Sequence, residues 1–316
     1  MNITKLILIN KNRYGVMVEN NKIDIMIEPT NRCTFRCPTC FSHQDGRKKN
    51  DMSLGEFKKI VDRNSDLIGN ISLYNYGEPL LNRNISKMIS YGKRKGIRFI
   101  KVSTNGMFLN KDIIKNLLIS RLDYLSISVD GATENVYNKF RKGGDFKKII
   151  SNIKNLVVAR NLIDSNLKIE IQFIIMKHNQ HQIQIFSRLA RKLGVDFLRF
   201  KKLLVKRKKW SYLLPTLRQY NRYKYAKKFN SCFKPLKELV INCDGNIIPC
   251  CYIVEEDVKK FKFGNIFEQT LRETINSDSY KEFTFMCTMQ KSDLSCCREC
   301  NEGNISLNYK VTKFEK

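Results

Sequence analysis

Three cysteines crowd one short stretch, Cys33-Thr-Phe-Arg-Cys37-Pro-Thr-Cys40, and chemistry is most easily built from these. Thiolate is the ligand that iron–sulfur clusters take, so three thiols on one loop can hold three irons of a 4Fe–4S cluster. The fourth iron would then lack a protein ligand. An open iron can chelate a small molecule through nitrogen and oxygen and pass it an electron. The competing reading is a zinc knuckle, which needs a fourth nearby ligand. His43 stands close enough in sequence to serve.

A second group lies far downstream. Cys232 is followed after twelve residues by Gly245 and four residues later by Cys250, and the sequence Cys297-Arg-Glu-Cys300 comes later still. Four thiolates, Cys232, Cys250, Cys297 and Cys300, would complete a 4Fe–4S cluster with no open iron, or a structural zinc site. Cys296 competes with Cys297, but the Cys-x2-Cys spacing favours Cys297. Cys243 and Cys287 read as small buried apolar residues, as free cysteine often is. Cys251 adjoins a proposed ligand in Pro249-Cys250-Cys251.

The elements around these groups alternate. Strands are expected at 22–28, 70–76, 98–103, 124–129, 168–176 and 196–200, with helices at 54–66, 85–95, 111–118, 146–160 and 181–193 between them. Ser53 is the expected N-cap of the first helix. Such alternation implies parallel strands joined by right-handed crossovers, an α/β fold forming a partial (β/α)6 barrel. Functional residues should then sit at the C-terminal ends of the strands. The pattern stops near Leu203, where a basic, aromatic stretch begins (Trp210, Tyr212, Tyr220, Tyr223, Tyr225). A hairpin is expected from 236–241 and 247–249 around Asp244-Gly245. The chain thus divides into an N-terminal extension (1–21), a barrel (22–202), a linker (203–231) and a cysteine-rich C-terminal domain (232–316).

The totals narrow the function classes. The chain has 316 residues, 42% hydrophobic and 28% charged, ordinary values for a globular protein. No run is long enough to span a bilayer, and the apolar patch at 6–9 is too short for a signal segment. A cytoplasmic location is expected, where thiols stay reduced and metal chemistry is a better use for eleven cysteines than disulfides. The net charge of +28 suggests nucleic acid. However, lysines far outnumber arginines and spread along the whole chain, as expected of AT-rich coding. Nucleic-acid binding is therefore not expected, and an acidic or phosphorylated substrate is a milder reason for the charge.

The Cys-x3-Cys-x2-Cys spacing resembles the radical S-adenosylmethionine (SAM) superfamily, whose open cluster reductively cleaves SAM to methionine and a 5′-deoxyadenosyl radical. The likeness continues along the chain. Tyr76-Gly77-Glu78-Pro79-Leu80 is similar to the family's Gly-Gly-Glu-Pro, with Tyr76 at the first glycine. It implies that the Gly77 backbone and Glu78 hold the amino group of the methionine moiety. Ser103-Thr104-Asn105-Gly106 resembles the Thr-Asn-Gly turn, bringing Ser103 and Asn105 into the cofactor set. Ser126-Ile-Ser128-Val-Asp130-Gly131 ends the fourth strand and Arg141 follows, so Ser128 and Arg141 are implied to hold the ribose or carboxylate. Thr39 stands where the family usually has an aromatic near adenine, with Phe41 as its candidate replacement. Taken singly, Glu78 reads as a solvated loop residue, Asn105-Gly106 as a turn pair and Arg141 as part of a basic face. Falling in order after successive strands, they read together as a site.

The second cysteine group resembles the SPASM and twitch domains appended to many such enzymes, in the single-cluster twitch form. Phe263-Gly264-Asn265-Ile266 matches the segment between its two halves. The resemblance implies two 4Fe–4S clusters, SAM as cofactor, and a low-potential electron donor such as flavodoxin or ferredoxin. It implies an oxidoreductase or epimerase that removes hydrogen from a substrate carbon. In some epimerases of the family a cysteine beside a cluster ligand returns a hydrogen atom, the role open to Cys251. About thirty residues precede Cys33, too few for a leader-peptide-binding domain, which tilts the substrate toward a carbohydrate-like or small molecule. A maturase of peptide or protein substrates is the alternative, and a non-catalytic iron–sulfur or RNA-binding protein is the rival from another class.

Overall fold

The computed structural model describes residues 22–43, 46–225, 230–301 and 309–314. The expected extension at 1–21 lies outside the described residues. Six parallel strands run β1 (Ile23–Ile27), β2 (Ile68–Leu73), β3 (Ile100–Thr104), β4 (Tyr124–Ser128), β5 (Lys168–Ile175) and β6 (Phe197–Lys202), side by side in sequence order. The main crossover helices are α1 (Leu54–Asn64), α2 (Ile85–Arg94), α3 (Lys111–Ile119), α5 (Phe146–Leu162) and α6 (Ile183–Leu193), with a shorter α4 (Glu134–Phe140) before α5. Ser53 caps α1 in a capping box with Glu56. This is the expected α/β order with parallel pairing throughout.

Alternation along each strand separates two faces. Ile25, Ile71, Val102, Ile127, Ile171 and Leu198 are almost wholly buried. They lie on the helix side: Gly92 of α2 approaches Ile71 and Ile100, and Gly106 approaches Ile127 and Ile149 of α5. The opposite face carries Ser72, Lys101, Ser103, Tyr124, Ser126, Glu170, Gln172, Arg199 and Lys201. A polar inner face on a sheet whose other side is solid with aliphatics marks the side on which chemistry is done.

Two differences from expectation concern the edges. The hairpin β7 (Glu238–Ile241) and β8 (Ile247–Ile248) forms around Gly245, but it is not a separate sheet. β7 pairs in parallel with β1, Met26 opposite Val240. β9 (Tyr309–Lys313) pairs antiparallel with β6, giving a nine-stranded order β8-β7-β1-β2-β3-β4-β5-β6-β9. The physical reason is that a six-stranded sheet ending at β1 and β6 leaves two rows of unpaired backbone groups, and C-terminal segments cover both. β2 also starts and ends earlier than expected, which frees Tyr74, Asn75 and Tyr76 to form the loop at its C-terminal end. Among the described residues no helix is long and apolar enough to cross a membrane.

Candidate active site

The loop after β1 is held from three sides. Gly77 sits at φ +101°, and a Cβ there would lie 2.1 Å from the Thr30 carbonyl oxygen, so only glycine lets the two loops close. The Glu78 N–H donates to the Arg32 carbonyl at 2.7 Å, fixing the turn against the residue before Cys33. On the other side, the Arg36 N–H donates to the Lys142 carbonyl at 2.9 Å. From below, the buried Glu28 pairs with Arg47 and accepts the N–H groups of Tyr76 and Cys243 at 3.2 and 3.1 Å. One carboxylate thereby ties together the loops after β1, β2 and β7.

Within the loop Cys37 is buried while Cys33 and Cys40 are partly exposed. Burial pushes the Cys33 thiol up to about 12, against the N–H of Phe35 that donates to its sulfur. Burial also raises Cys37, opposed by the Arg141 guanidinium 3.8 Å from its sulfur. Arg141 is itself positioned: its Nε donates to the fully buried Asp130 at 2.6 Å, whose other oxygen accepts the Ile174 N–H at 2.7 Å. Asp130 is the orienting partner that sequence reading passed over when it singled out Arg141.

Glu78 is buried, and its carboxylate accepts from Leu80 N–H (3.1 Å), Thr104 Oγ1 (2.6 Å) and Asn105 N–H (2.7 Å). Burial raises its pKa, opposed by those donors. Three donors leave roughly one lone-pair direction for a further cation or N–H. The Asn105 side-chain Nδ2 is buried beside it with no partner. Ser128 stands opposite Gln172 in the β4–β5 register, and Ser103 opposite Ser126, both on the inner face. Phe41 is enclosed edge-on between Tyr76 and Trp210, at 5.9 and 5.5 Å between ring centres. Trp210 thus fastens the short turn Lys208–Leu213 against the cysteine loop.

Part of the second group is brought together: the sulfur contacts join Cys297 to Cys287 and Cys296. The Cys232 N–H donates to the Cys287 carbonyl at 2.7 Å, and Cys297 Sγ lies 3.9 Å from Cys287 Sγ and 3.6 Å from Cys296 Sγ. Sharing protons with both neighbours lowers the Cys297 thiol and raises theirs. Burial raises the Cys250 thiol, and the neighbouring Cys251 and then Cys300 raise it further. Cys287, read from sequence as a small buried residue, is buried, and its sulfur lies against Cys297. Cys251 presents its carbonyl to the Tyr76 hydroxyl at 2.8 Å. Tyr76 therefore links the two cysteine groups.

The donor set fits the cofactors. Three thiols on one loop suit three irons, and the unpartnered Asn105 Nδ2 and basic Arg141 beside them suit a polar, partly anionic ligand. The comparisons agree. A family model described as the radical SAM superfamily matches residues 27–163, and one described as an iron–sulfur cluster-binding domain, SPASM, matches residues 232–301. An S-adenosylmethionine-dependent nucleotide dehydratase of Selenomonas ruminantium is 25% identical over 154 residues, 48% of this chain and 55% of that one, so the chain spans about half its length. The structure of BtrN in complex with AdoMet and 2-DOIA superposes with a TM-score of 0.59 at 19% identity, over 89% of this chain and 93% of that one. Streptococcus suis SuiB bound to precursor peptide SuiA gives 0.67 at 17%, over 95% and 75%. At these identities the structural likeness shows the fold. The cofactors are 4Fe–4S clusters and S-adenosylmethionine, and the chain carries a radical SAM domain over residues 27–163 followed by a SPASM domain over residues 232–301.

Proposed function

We propose that the protein abstracts a hydrogen atom from a carbon of a small, carbohydrate-like substrate, leading to oxidation or epimerisation. The single observation that carries this reading is the convergence of the Cys33–Cys40 loop, Glu78, Asn105 and Arg141 at the C-terminal ends of β1 to β4. Cys33, Cys37 and Cys40 would hold the open cluster, and Cys232, Cys250, Cys297 and Cys300 the auxiliary one. When bound, the open cluster and SAM supply a 5′-deoxyadenosyl radical on reduction by a donor such as flavodoxin or ferredoxin.

The chain's own residues hold and orient. Gly77 brings its loop against the Thr30–Arg32 backbone, and Glu78 fixes the Asn105 turn beside it. Arg141, locked by Asp130, presents its guanidinium to the cysteine loop and to a carboxylate or ribose placed there. Phe41 and Trp210 close one side with apolar rings that exclude water. Cys251, whose backbone carbonyl is tied to the Tyr76 hydroxyl, would return a hydrogen atom if the reaction is an epimerisation. The small-substrate reading is supported by the likeness to BtrN, which holds 2-DOIA and which this chain covers almost fully. A peptide substrate is the second reading, supported by the likeness to SuiB with its precursor peptide. A division at 202 and 232 and a cytoplasmic location complete the proposal.

The test is anaerobic reconstitution with iron and sulfide, reduction, and chromatography for 5′-deoxyadenosine. A cluster-loaded protein that forms none overturns the reading.

A further inference from the structure

One buried thiol beside the second cysteine group has no iron to bind. Cys232, Cys250, Cys297 and Cys300 suffice for the four irons of one cluster, which leaves Cys287 outside the set. Cys287 sits near the end of the helix Asp278–Met289, whose N-cap Ser277 accepts from the Tyr280 N–H. Tyr280, Phe283, Thr284, Cys287 and Thr288 make its buried stripe, at helical spacing. The stripe turns the Cys287 side chain into the protein, where it is buried. Its backbone carbonyl accepts the Cys232 N–H at 2.7 Å, which ties the helix end to a proposed ligand.

The Cys287 sulfur meets another. Its Sγ lies 3.9 Å from the Sγ of Cys297. Cys297 is held in a turn, its N–H donating to the Leu294 carbonyl at 2.9 Å and its carbonyl accepting the Cys300 N–H at 3.0 Å. Two thiols fixed in contact react with each other far more readily than with thiols free in solution. Side-chain torsions can close the gap to a bond of about 2.05 Å. Cys296 is the competitor, with its Sγ 3.6 Å from that of Cys297. A disulfide between chain neighbours closes a small ring through their own peptide bond and forces it away from its planar trans form. Cys287 stands 10 residues from Cys297, so that ring is larger and leaves the peptide bonds alone.

We infer that Cys287 is a resolving thiol: when an oxidant such as hydrogen peroxide strips the auxiliary cluster, Cys287 and Cys297 join in a disulfide that a dithiol reverses. The inference deepens the proposed function, because it rests on Cys297 being a ligand of that cluster. The chemistry balances on one molecule of peroxide. The freed Cys297 thiolate attacks one peroxide oxygen, the O–O bond breaks, and a sulfenic acid and hydroxide result. The Cys287 sulfur then attacks the sulfenic sulfur and displaces the second hydroxide, and the two thiol protons turn both hydroxides into water. The disulfide withdraws one of four thiolates, so the cluster cannot be rebuilt before reduction. It also keeps Cys297 from the irreversible sulfinic step.

The test uses the full chain, anaerobically reconstituted, treated with hydrogen peroxide until its iron is released, and then alkylated with N-ethylmaleimide. Trypsin cuts after Lys281, Lys291 and Arg298, giving peptide 282–291 with Cys287 and peptide 292–298 with Cys296 and Cys297. Mass spectrometry without reduction should find the two peptides joined. They should be joined equally in Cys296→Ala, where only Cys297 can be the partner. Dithiothreitol, then iron and sulfide, should restore the wild type to its starting iron content. Cys287→Ala should start at the wild-type iron content but regain about twofold less auxiliary iron, as its Cys297 passes on to sulfinic acid. Cys287→Ser, closer in volume, repeats the measurement where the Ala variant does not fold. Absence of the joined peptides in wild type and Cys296→Ala, or full recovery by the Cys287 variants, overturns the resolving role. A lower starting iron content in both Cys287 variants overturns it too, by making Cys287 a ligand. Iron content before the oxidant keeps the two readings apart. About eight irons without joined peptides removes only the disulfide, and about four irons with joined peptides removes the auxiliary cluster and leaves the disulfide.

Discussion

Glu78 accepts the backbone N–H of Asn105 at 2.7 Å, so the carboxylate that follows β2 builds the turn that follows β3. With Thr104 and Leu80 also donating to it, Glu78 organises two loops before any cofactor arrives. Glu78→Gln would set an NH2 group against one of these donors. Losing a hydrogen bond to a buried charge costs about 1.5–3 kcal/mol, and the melting temperature should fall by roughly 5 °C. The KM for SAM should rise as the Asn105 turn loosens. A variant with unchanged melting and unchanged KM would show that the bridge positions nothing.

Iron content separates the two cysteine groups. The reconstituted wild type should carry about eight irons, four per cluster. Replacing Cys33, Cys37 and Cys40 together by Ala should leave about half. Saturation of the wild type near four irons, with zinc measured in the remainder, would contradict the assignment of Cys232, Cys250, Cys297 and Cys300 to an iron cluster.

Much of this was legible in the sequence, and what was not has identifiable causes. The alternation of strands and helices and the Cys33–Cys40 loop were readable because each signal lies inside a few residues, whereas Gly77, Glu78, Asn105 and Arg141 were readable only through the family resemblance and their order after successive strands. Asp130 behind Arg141 and Glu170 behind Arg199 were not, since each pairing joins different elements, 11 and 29 residues apart, and no periodicity records it. Lys101 and Lys201 were hidden among many lysines; only the register shows that they face inward. The addition of β7 and β9 to the main sheet is a matter of edges needing partners, which no periodicity records.

Lys201 gives a pH dependence. Burial, then the positive charge of Lys101, lowers its pKa to about 8, with Arg199 lowering and Glu170 and Asp130 raising it. The unfolded side chain titrates near 10.4. A lysine depressed in the folded state costs stability fully below its folded pKa, and the cost is relieved as pH rises toward the unfolded value. Between pH 7 and 9 the wild type should therefore gain melting temperature relative to Lys201→Met. Parallel curves for the two proteins would show that the ammonium is not confined.

Cys251 decides between two chemistries. An epimerase needs a hydrogen donor on the opposite face of the substrate, and a thiol held through the Tyr76–Cys251 contact could provide one. A dehydrogenase needs none. Cys251→Ala is expected to turn over nearly normally, with no solvent deuterium entering carbon in deuterated water. Loss of an inverted product, with one deuterium in the wild-type product, would instead establish the donor role.

The central claim is tested most directly by 5′-deoxyadenosine formation in the wild type and in the variant with Cys33, Cys37 and Cys40 all replaced by Ala, both reconstituted, reduced and supplied with SAM without oxygen. The wild type should form it, and the variant should form none while keeping its second cluster. A variant that still cleaves SAM would contradict the assignment of these three cysteines to the open cluster.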